Sequence, residues 1–370
     1  MMGVYIANLA ITIATSTILI SFILTHDTMT KLPKYHAAGA SLLLILCATC
    51  DFTGLFLNGN FPEYRVIHII VRFIELSNAP VIPIVMSVSY FEGRKNLYKV
   101  FFIVASINAI LAFISIFTGI MYYVTPDNVY LHGPIYFVYH LALLTNSAFF
   151  VASVVRFNHI NQNNNILPLI LILLMIALGL ICDAMIPGWH FMWQDISMAM
   201  ALFYIYYCSI IMHNNPLTGL LNRRSFALRT KYIKKPAVIL FFDINKFKEI
   251  NDTYGHNYGD KCLVTVAEIL KKVYVRYGYC FRIGGDEFCV IVFKNRDKVD
   301  EMNAQFTQLL DEKRKQDEKL PTVAIGKTYF DPKKERFSSA LAKECLKVNS
   351  RVPPVRSTVC AVASSATPLS

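Results

Sequence analysis

Arg282-Ile-Gly-Gly-Asp-Glu-Phe288 is the stretch on which the reading of this chain turns. Two glycines are followed at once by two carboxylates, and apolar runs at 280–283 and 288–293 flank them. That pattern predicts a β-hairpin with Asp286 and Glu287 at its tip. Upstream, 237–243 is apolar and β-branched enough for a buried strand, and it ends on Asp243. Adjacent strands bring such carboxylates together around a hard cation, while glycine lets a phosphate approach the backbone closely. Acids beside a glycine turn are what metal-assisted phosphoryl chemistry needs. Taken alone, the turn also reads as a plain exposed hairpin.

Working outward, a short helix is expected over 245–251. A longer one is expected over 260–274, with Leu263, Val266, Ile269, Leu270 and Val273 on one side. A charged amphipathic helix over 297–318, a strand at 322–327 and a last helix near 338–348 complete the half. The expectation is an α+β domain with helices over a mostly antiparallel sheet.

Toward the N-terminus the composition changes. Of 370 residues 55% are hydrophobic and 16% charged, below the quarter or so usual for a soluble chain. Seven apolar segments approach the ~20 residues a membrane span requires: 4–25, 37–57, 66–91, 99–123, 134–155, 166–187 and 191–212. The first has no Lys or Arg ahead of it and is too long for a cleavable signal core. Lys31 and Lys34, then Arg94, Lys95 and Lys99, then Arg156 fall in alternate loops. That bias places the N-terminus outside and residue 213 in the cytoplasm. The net charge of +11 therefore reads as topology signal and predicts no nucleic-acid partner. Cys47 and Cys50 form a C-x-x-C inside an apolar run without a second pair, which reads as membrane helix. Cys262, Cys280 and Cys289 are expected as reduced cytoplasmic thiols.

Polar residues within the spans admit two readings. Arg72 and Glu75 share a helix face and can pair, while His140, Asn146 and Asp183 are candidates for an internal cavity. Trp189, His190, Trp193 and Asp195 cluster with Tyr122 and Tyr123 on the outer side. They read as an interfacial aromatic belt or as an outward-facing ligand pocket.

Four motifs stand in order over about residues 215–330: Asn215-Pro-Leu-Thr-Gly-Leu-Leu-Asn-Arg-Arg224, Phe242-Asp-Ile-Asn-Lys-Phe-Lys-Glu-Ile-Asn-Asp-Thr-Tyr-Gly-His256, Gly259-Asp260 and the opening heptapeptide. In these residues the chain resembles the GGDEF diguanylate cyclases. The helical half resembles, by architecture only, the seven-helix sensor regions ahead of some bacterial histidine kinases. The fold implied is an all-α bundle of seven transmembrane helices followed by a nucleotidyl cyclase, polymerase-palm-like α+β domain. Family members condense two GTP into cyclic di-GMP and two pyrophosphates. The resemblance implies that Asp243, the Ile244 carbonyl and an acid of the Asp286–Glu287 pair hold two Mg²⁺ ions per half-site, with Mn²⁺ as the alternative metal. Asp243, Asp286 and Glu287 are the implied catalytic residues. Asn251 and Asp260 would read guanine. The backbone from Asn245 to Phe247, with Lys248, would cradle the β- and γ-phosphates, and Gly284 and Gly285 would make room for the α-phosphate. Each subunit presents one GTP, so a homodimer through this domain is implied, carried in a bacterial cytoplasmic (inner) membrane.

The expected organisation is a lipid-embedded sensor at 1–212, the cyclase at 213–350 and a disordered tail at 351–370. The chain departs from the family pattern in four places. Asn215 replaces an acid and Asn245 replaces a second Asp. Val275 and Gly278 stand where an inhibitory Arg-x-x-Asp product site would be. Ser338–Arg351 lacks the usual Ala-Asp and Tyr elements, and Pro353-Pro354 stops any helix there. Lys343, Lys347 and Arg351 are candidate replacement cations. Two other readings stay open: a catalytically weakened module acting as a GTP-binding receptor, and a transporter-like protein with an appended regulatory domain. The last span runs directly into Asn215, which predicts direct coupling of membrane and output.

Overall fold

The computed structural model describes residues 2–25, 31–90, 97–163, 165–186 and 190–334, together with Phe337 and Ala340. Two compact units divide the chain, Met1–Ser209 and Ile210–Ser370.

The first unit is helical: α1 Met2–Thr25, α2 Lys31–Leu57, α3 Arg65–Asn78, α4 Val81–Tyr90, α5 Leu97–Thr118, α6 Phe137–Ile160, α7 Leu167–Met185 and α8 Met192–Ile211. Among the described residues six helices are long and apolar enough to cross a membrane, counting Pro62–Val88 as one; Leu167–Asp183 is apolar but shorter. Large apolar side chains such as Ile18, Leu42, Ile110, Phe117, Leu144 and Leu178 face outward. That is costly in water and suits a lipid environment.

The expected spans are corrected in two places. The one at 99–123 ends at Thr118, where Gly119 turns the chain at φ +70°. Its last residues enter a small hairpin, β1 Tyr122–Val124 paired antiparallel with β2 Tyr130–His132, so the unit is not purely helical. The span at 66–91 is broken between α3 and α4 at Ala79-Pro80. Proline has no N–H, so the Leu76 carbonyl loses its usual partner four residues on. Asn108 on α5 supplies one, its Nδ2 donating to that carbonyl at 2.8 Å. Asn146 on α6 donates likewise to the Pro80 carbonyl at 2.9 Å. Asn146 therefore repairs a broken helix rather than lining an open cavity.

Arg72 is buried and donates to Asp51 and Glu75, each at 2.7 Å, the second an i,i+3 pair as the sequence predicts. Trp193 Nε1 donates to the other Asp51 oxygen at 3.1 Å. Asn128, in the hairpin loop, donates to the carbonyls of Leu57, Asn60 and Phe61 and bonds His68 Nδ1 through Oδ1. His140 is exposed and meets the Tyr136 and Tyr139 rings edge-on. Trp189, Arg94 and Lys95 lie outside the described residues.

The second unit contains α9 Arg223–Thr230, β3 Ala237–Ile244, α10 Phe247–Tyr254, α11 His256–Tyr274, β4 Gly278–Arg282, β5 Glu287–Val292, α12 Val299–Gln316 and β6 Val323–Phe330. Strand order is β4-β5-β3-β6, with every pairing antiparallel. Strand alternation splits the side chains between two cores. Val238, Leu240, Phe242, Phe288, Val290 and Val292 pack against α11 and α12. Ala237, Ile239, Cys289, Ile291 and Phe281 pack on the other face against Phe226 of α9, with Phe337 and Ala340. On α12, Met302, Phe306 and Leu310 recur every four residues and form its buried stripe. The helices expected at 245–251 and 260–274 begin instead at Phe247 and His256. The sequence reading gave no helix for 223–230, which has one large apolar anchor, Phe226, and starts on Asn222, whose side chain accepts from the Ser225 amide. The helix expected near 338–348 and the tail after 351 lie outside the described residues, apart from Ala340.

Candidate active site

Asp243 and Glu287 are direct cross-strand partners at the same end of β3 and β5, so their side chains leave one face of the sheet together. Glu287 is 8% exposed, and Asp286 beside it is half-buried. Burial and the nearby Asp286 charge push the Asp243 carboxyl up from 3.8 to about 6. Two carboxylates this close disfavour one another's ionised form.

The hairpin is tight. The amides of Ile283 and Gly284 both donate to the Glu287 carbonyl, at 3.0 and 3.3 Å. A side chain at Gly284 would collide with the Glu287 carboxylate, whereas Gly285 faces open space. Only a residue without Cβ lets the acid fold back over its own turn.

Arg282 is the group the sequence reading left without a role. Its Nε and Nη2 donate to the Gly285 carbonyl at 3.1 and 2.7 Å. Its Nη1 donates to Asn215 Oδ1 at 3.2 Å. Burial lowers the guanidinium pKa, and Asp260 and Asp286 oppose that fall. One cation thus lies in the field of both the acidic tip and the α11 acid. The signal was an arginine at the end of a strand, two residues before the glycines, where only loop carbonyls and acids are within reach.

Asn215 also accepts from the Thr218 amide and hydroxyl, both at 3.0 Å. An amide oxygen fills that turn as an acid would. Upstream, the His213 carbonyl accepts from the Asn222 amide at 2.9 Å and the Ser225 hydroxyl at 2.7 Å. Asn222 Nδ2 donates to the Met212 carbonyl at 2.9 Å. Hydrogen bonds thus tie Met212 and His213 to Asn222, and Asn215 through Arg282 to Gly285, with the backbone at 213–215 joining the two sets.

On the α10–α11 side, Asn251 is half-buried and Asp260 exposed. A Cβ at Gly259 would strike the Asn251 side-chain oxygen, and the Phe247 ring is 3.3 Å from the same point. Gly259 thus packs against Asn251 and Phe247, with Asp260 next in sequence. The phosphate cradle needs a correction. The Asn245 amide already donates to the Thr322 carbonyl at 3.0 Å, and its side chain donates to Thr322 Oγ1 at 2.7 Å. Asn245 thus ties the strand end to the start of β6, leaving the first amides of α10 as the donors still available. Lys246 takes a left-handed φ of +55° at that turn, a strained conformation typical of functional loops. Lys248 is exposed.

Among the described residues no group of three or more His, Cys, Asp or Glu side chains gathers as a metal cage. A Mg²⁺ site does not require one. That ion is usually held by one or two carboxylates, with the substrate's phosphates and water completing the shell. The Asp243–Asp286 charge pair, Glu287 and the neighbouring Ile244 carbonyl fit such a donor set. Lys343, Lys347 and Arg351 lie outside the described residues.

An antiparallel sheet backed by helices, with its acids at one strand end, places the second unit among the palm-like α+β domains. Its sequence matches the family described as "Diguanylate cyclase, GGDEF domain" over residues 212–345. That segment belongs to the GGDEF family. Similar proteins include the Escherichia coli diguanylate cyclase DgcN, 33% identical over 26% of this chain and 26% of its own length. The probable diguanylate cyclase DgcI of the same organism is 46% identical over 20% of this chain and 17% of its own. Each match covers only about a quarter, or less, of those relatives. The GGDEF domain of DgcB from Caulobacter crescentus, solved in complex with c-di-GMP, is 24% identical over 38% of this chain and 90% of that one, with a TM-score of 0.33.

Proposed function

We propose that this protein is a membrane-embedded diguanylate cyclase that joins two GTP into cyclic di-GMP, releases two pyrophosphates and answers to its helical unit. The observation that carries the reading is the cross-strand pair Asp243–Glu287 beside Asp286, inside a matched GGDEF segment.

GGDEF cyclases generally use divalent ions, and a bound Mg²⁺ would neutralise triphosphate charge and help ionise the attacking hydroxyl. Asp243, the Ile244 carbonyl, Asp286 and Glu287 would hold it. The remaining work falls to binding and orientation. The Asp260 carboxylate accepts guanine's ring and exocyclic N–H groups, and Asn251 supports it. Adenine lacks that donor pattern and, once seated over Asp260, would leave its carboxylate without a partner, which favours GTP. The opening amides of α10, with Lys248, face the terminal phosphates, and the Gly284-Gly285 turn, open at Gly285, admits the α-phosphate. Each domain presents one nucleotide, so two domains must meet for each 3′-hydroxyl to attack the other nucleotide's α-phosphorus.

We read seven spans, with Leu167–Met185 as a short seventh, the N-terminus outside and the GGDEF domain in the cytoplasm. Lys34 and Lys99 in the first turns of α2 and α5, and Arg156 near the end of α6, fall on the side this orientation makes cytoplasmic and support it. The hydrogen bonds that tie Met212 to Asn222, and Asn215 through Arg282 to Gly285, support direct coupling. The absence of an internal sequence repeat speaks against a transporter.

The test is the full chain in lipid nanodiscs with GTP and Mg²⁺, read by mass spectrometry for cyclic di-GMP. Asp243→Ala and Glu287→Ala should abolish product. GTP binding without turnover in the wild type would replace this reading with the receptor one, which the altered Ser338–Arg351 segment favours.

A further inference from the structure

Between α4, α6, α7 and α8 the bundle leaves a cavity of about 260 Å³. Its wall is nearly all apolar, with Ile82, Leu143, Phe150 and Met200 typical, and Asp195 is the one charged residue among the lining residues described. An ionisable side chain on a membrane-embedded wall is costly and usually has a function.

The ordinary explanations do not account for Asp195. The amides that open α8 are already met, because Asp183 accepts from Phe191 at 2.7 Å and from Met192 at 2.9 Å. Asp195 is not needed as a cap. No hydrogen bond or ion pair engages its carboxylate among the described residues. The carboxylate instead turns toward α7, so close to Gly179 that any Cβ there would clash. The cavity thus presents an apolar chamber with one unneutralised acid. A cavity of ~150 Å³ accommodates benzene, so this one has room for a chain of about ten carbons.

We propose that this cavity binds a single-chain amphiphile with a protonated amine head, its alkyl chain among the apolar residues and its ammonium against Asp195. Charge complementarity selects this occupant over an uncharged acyl tail, which would leave the acid unpaired. Trp193 shares the cavity wall and donates its indole N–H to Asp51, so an occupant against Trp193 lies one hydrogen bond from the Arg72 cluster. The inference concerns the helical unit alone and stands whether or not the second unit makes product.

The chain has two tryptophans, so Trp189→Phe leaves Trp193 as the sole reporter. This protein, in phosphatidylcholine nanodiscs, is titrated with 10-bromodecylamine and with 10-bromodecanol, and bromine quenching of Trp193 fluorescence is followed. Saturable quenching is expected, with the amine at least about tenfold tighter. Asp195→Asn should bring that ratio to about one, and Ala199→Leu, which fills the chamber, should weaken both probes. Non-saturating quenching equal for the two probes would mean that bilayer lipid alone occupies the space and would overturn the proposal. So would an amine preference that survives Asp195→Asn. If that variant is not recovered folded, 10-bromodecanoate decides: it must bind more weakly than the alcohol, and equal or tighter quenching overturns the assignment.

Discussion

Asp243 carries opposite consequences for stability and for activity. Its carboxyl titrates at about 6 in the fold against 3.8 ordinarily, burial being the larger cause and Asp286 the second. A raised carboxylate pKa favours the protonated form. Its destabilising effect is therefore absent below pH 3.8, grows as pH rises and is complete above about 6. Asp243→Asn should raise the melting temperature at pH 7.5 by a few degrees, while lowering product formation on the order of 100-fold or more. Calorimetry and initial rates on the same preparation check both signs. Metal binding needs the ionised form, so activity should fall as pH drops through about 6. Raising Mg²⁺ should move that limb to lower pH, because metal and proton compete for one site. A limb unmoved by Mg²⁺ would remove Asp243 from the metal-binding group. Gly259→Ala would displace the Asn251 oxygen and should raise the KM for GTP about tenfold, ~1.4 kcal/mol, with little change in helicity by circular dichroism. At this scale the meeting of Asp243 with Glu287 beside a glycine turn was legible, because a strand ending on an acid and a Gly-Gly-Asp-Glu hairpin place those carboxylates together. Arg282 and Thr322 were not, because their roles lie in where neighbouring loop carbonyls and hydroxyls end up.

Among the elements, the β4–β5 hairpin and the entry turn act as a pair. Arg282 joins them through Asn215 Oδ1 and the Gly285 carbonyl. Arg282→Ala and Asn215→Ala should each lower the rate, and a double-mutant cycle should return a coupling of about 1 kcal/mol. Additive effects would show that the two elements report to the site separately. Behind the hairpin, Phe242 packs against Tyr274 and Phe306 with ring centroids 5.7 and 5.0 Å apart. Phe242→Ala should cost the domain about 3–5 kcal/mol, read by chemical denaturation. Continuous apolar runs revealed β3, β4 and β5 because both sheet faces are covered and every position must be apolar or functional. Helix α9 stayed hidden because a cap and one phenylalanine define it. The hairpin at Tyr122–His132 stayed hidden because its two aromatic-rich strands look like the end of a span. The break at Pro80 was visible as a proline, but not the two asparagines on other helices that complete it.

For the whole molecule, sequence composition separated an apolar helical half from an α+β half, and the units meet at Ser209–Ile210. How far the seventh apolar helix reaches was harder to read, since Leu167–Asp183 falls short of a full span. If two domains share one reaction, specific activity should rise with protein concentration in dilute detergent and level off once the dimer is saturated. A constant specific activity over a hundredfold dilution would indicate a stable preassembled pair. The break at Ala79-Pro80 has a mechanical consequence. An unbroken helix passes torsion along its own axis through its ladder of hydrogen bonds. Here that ladder is interrupted, and the Leu76 and Pro80 carbonyls are bound to Asn108 and Asn146. A twist applied near Arg72 is thus shared sideways with α5 and α6, and this span works less as a drive shaft than as a clutch.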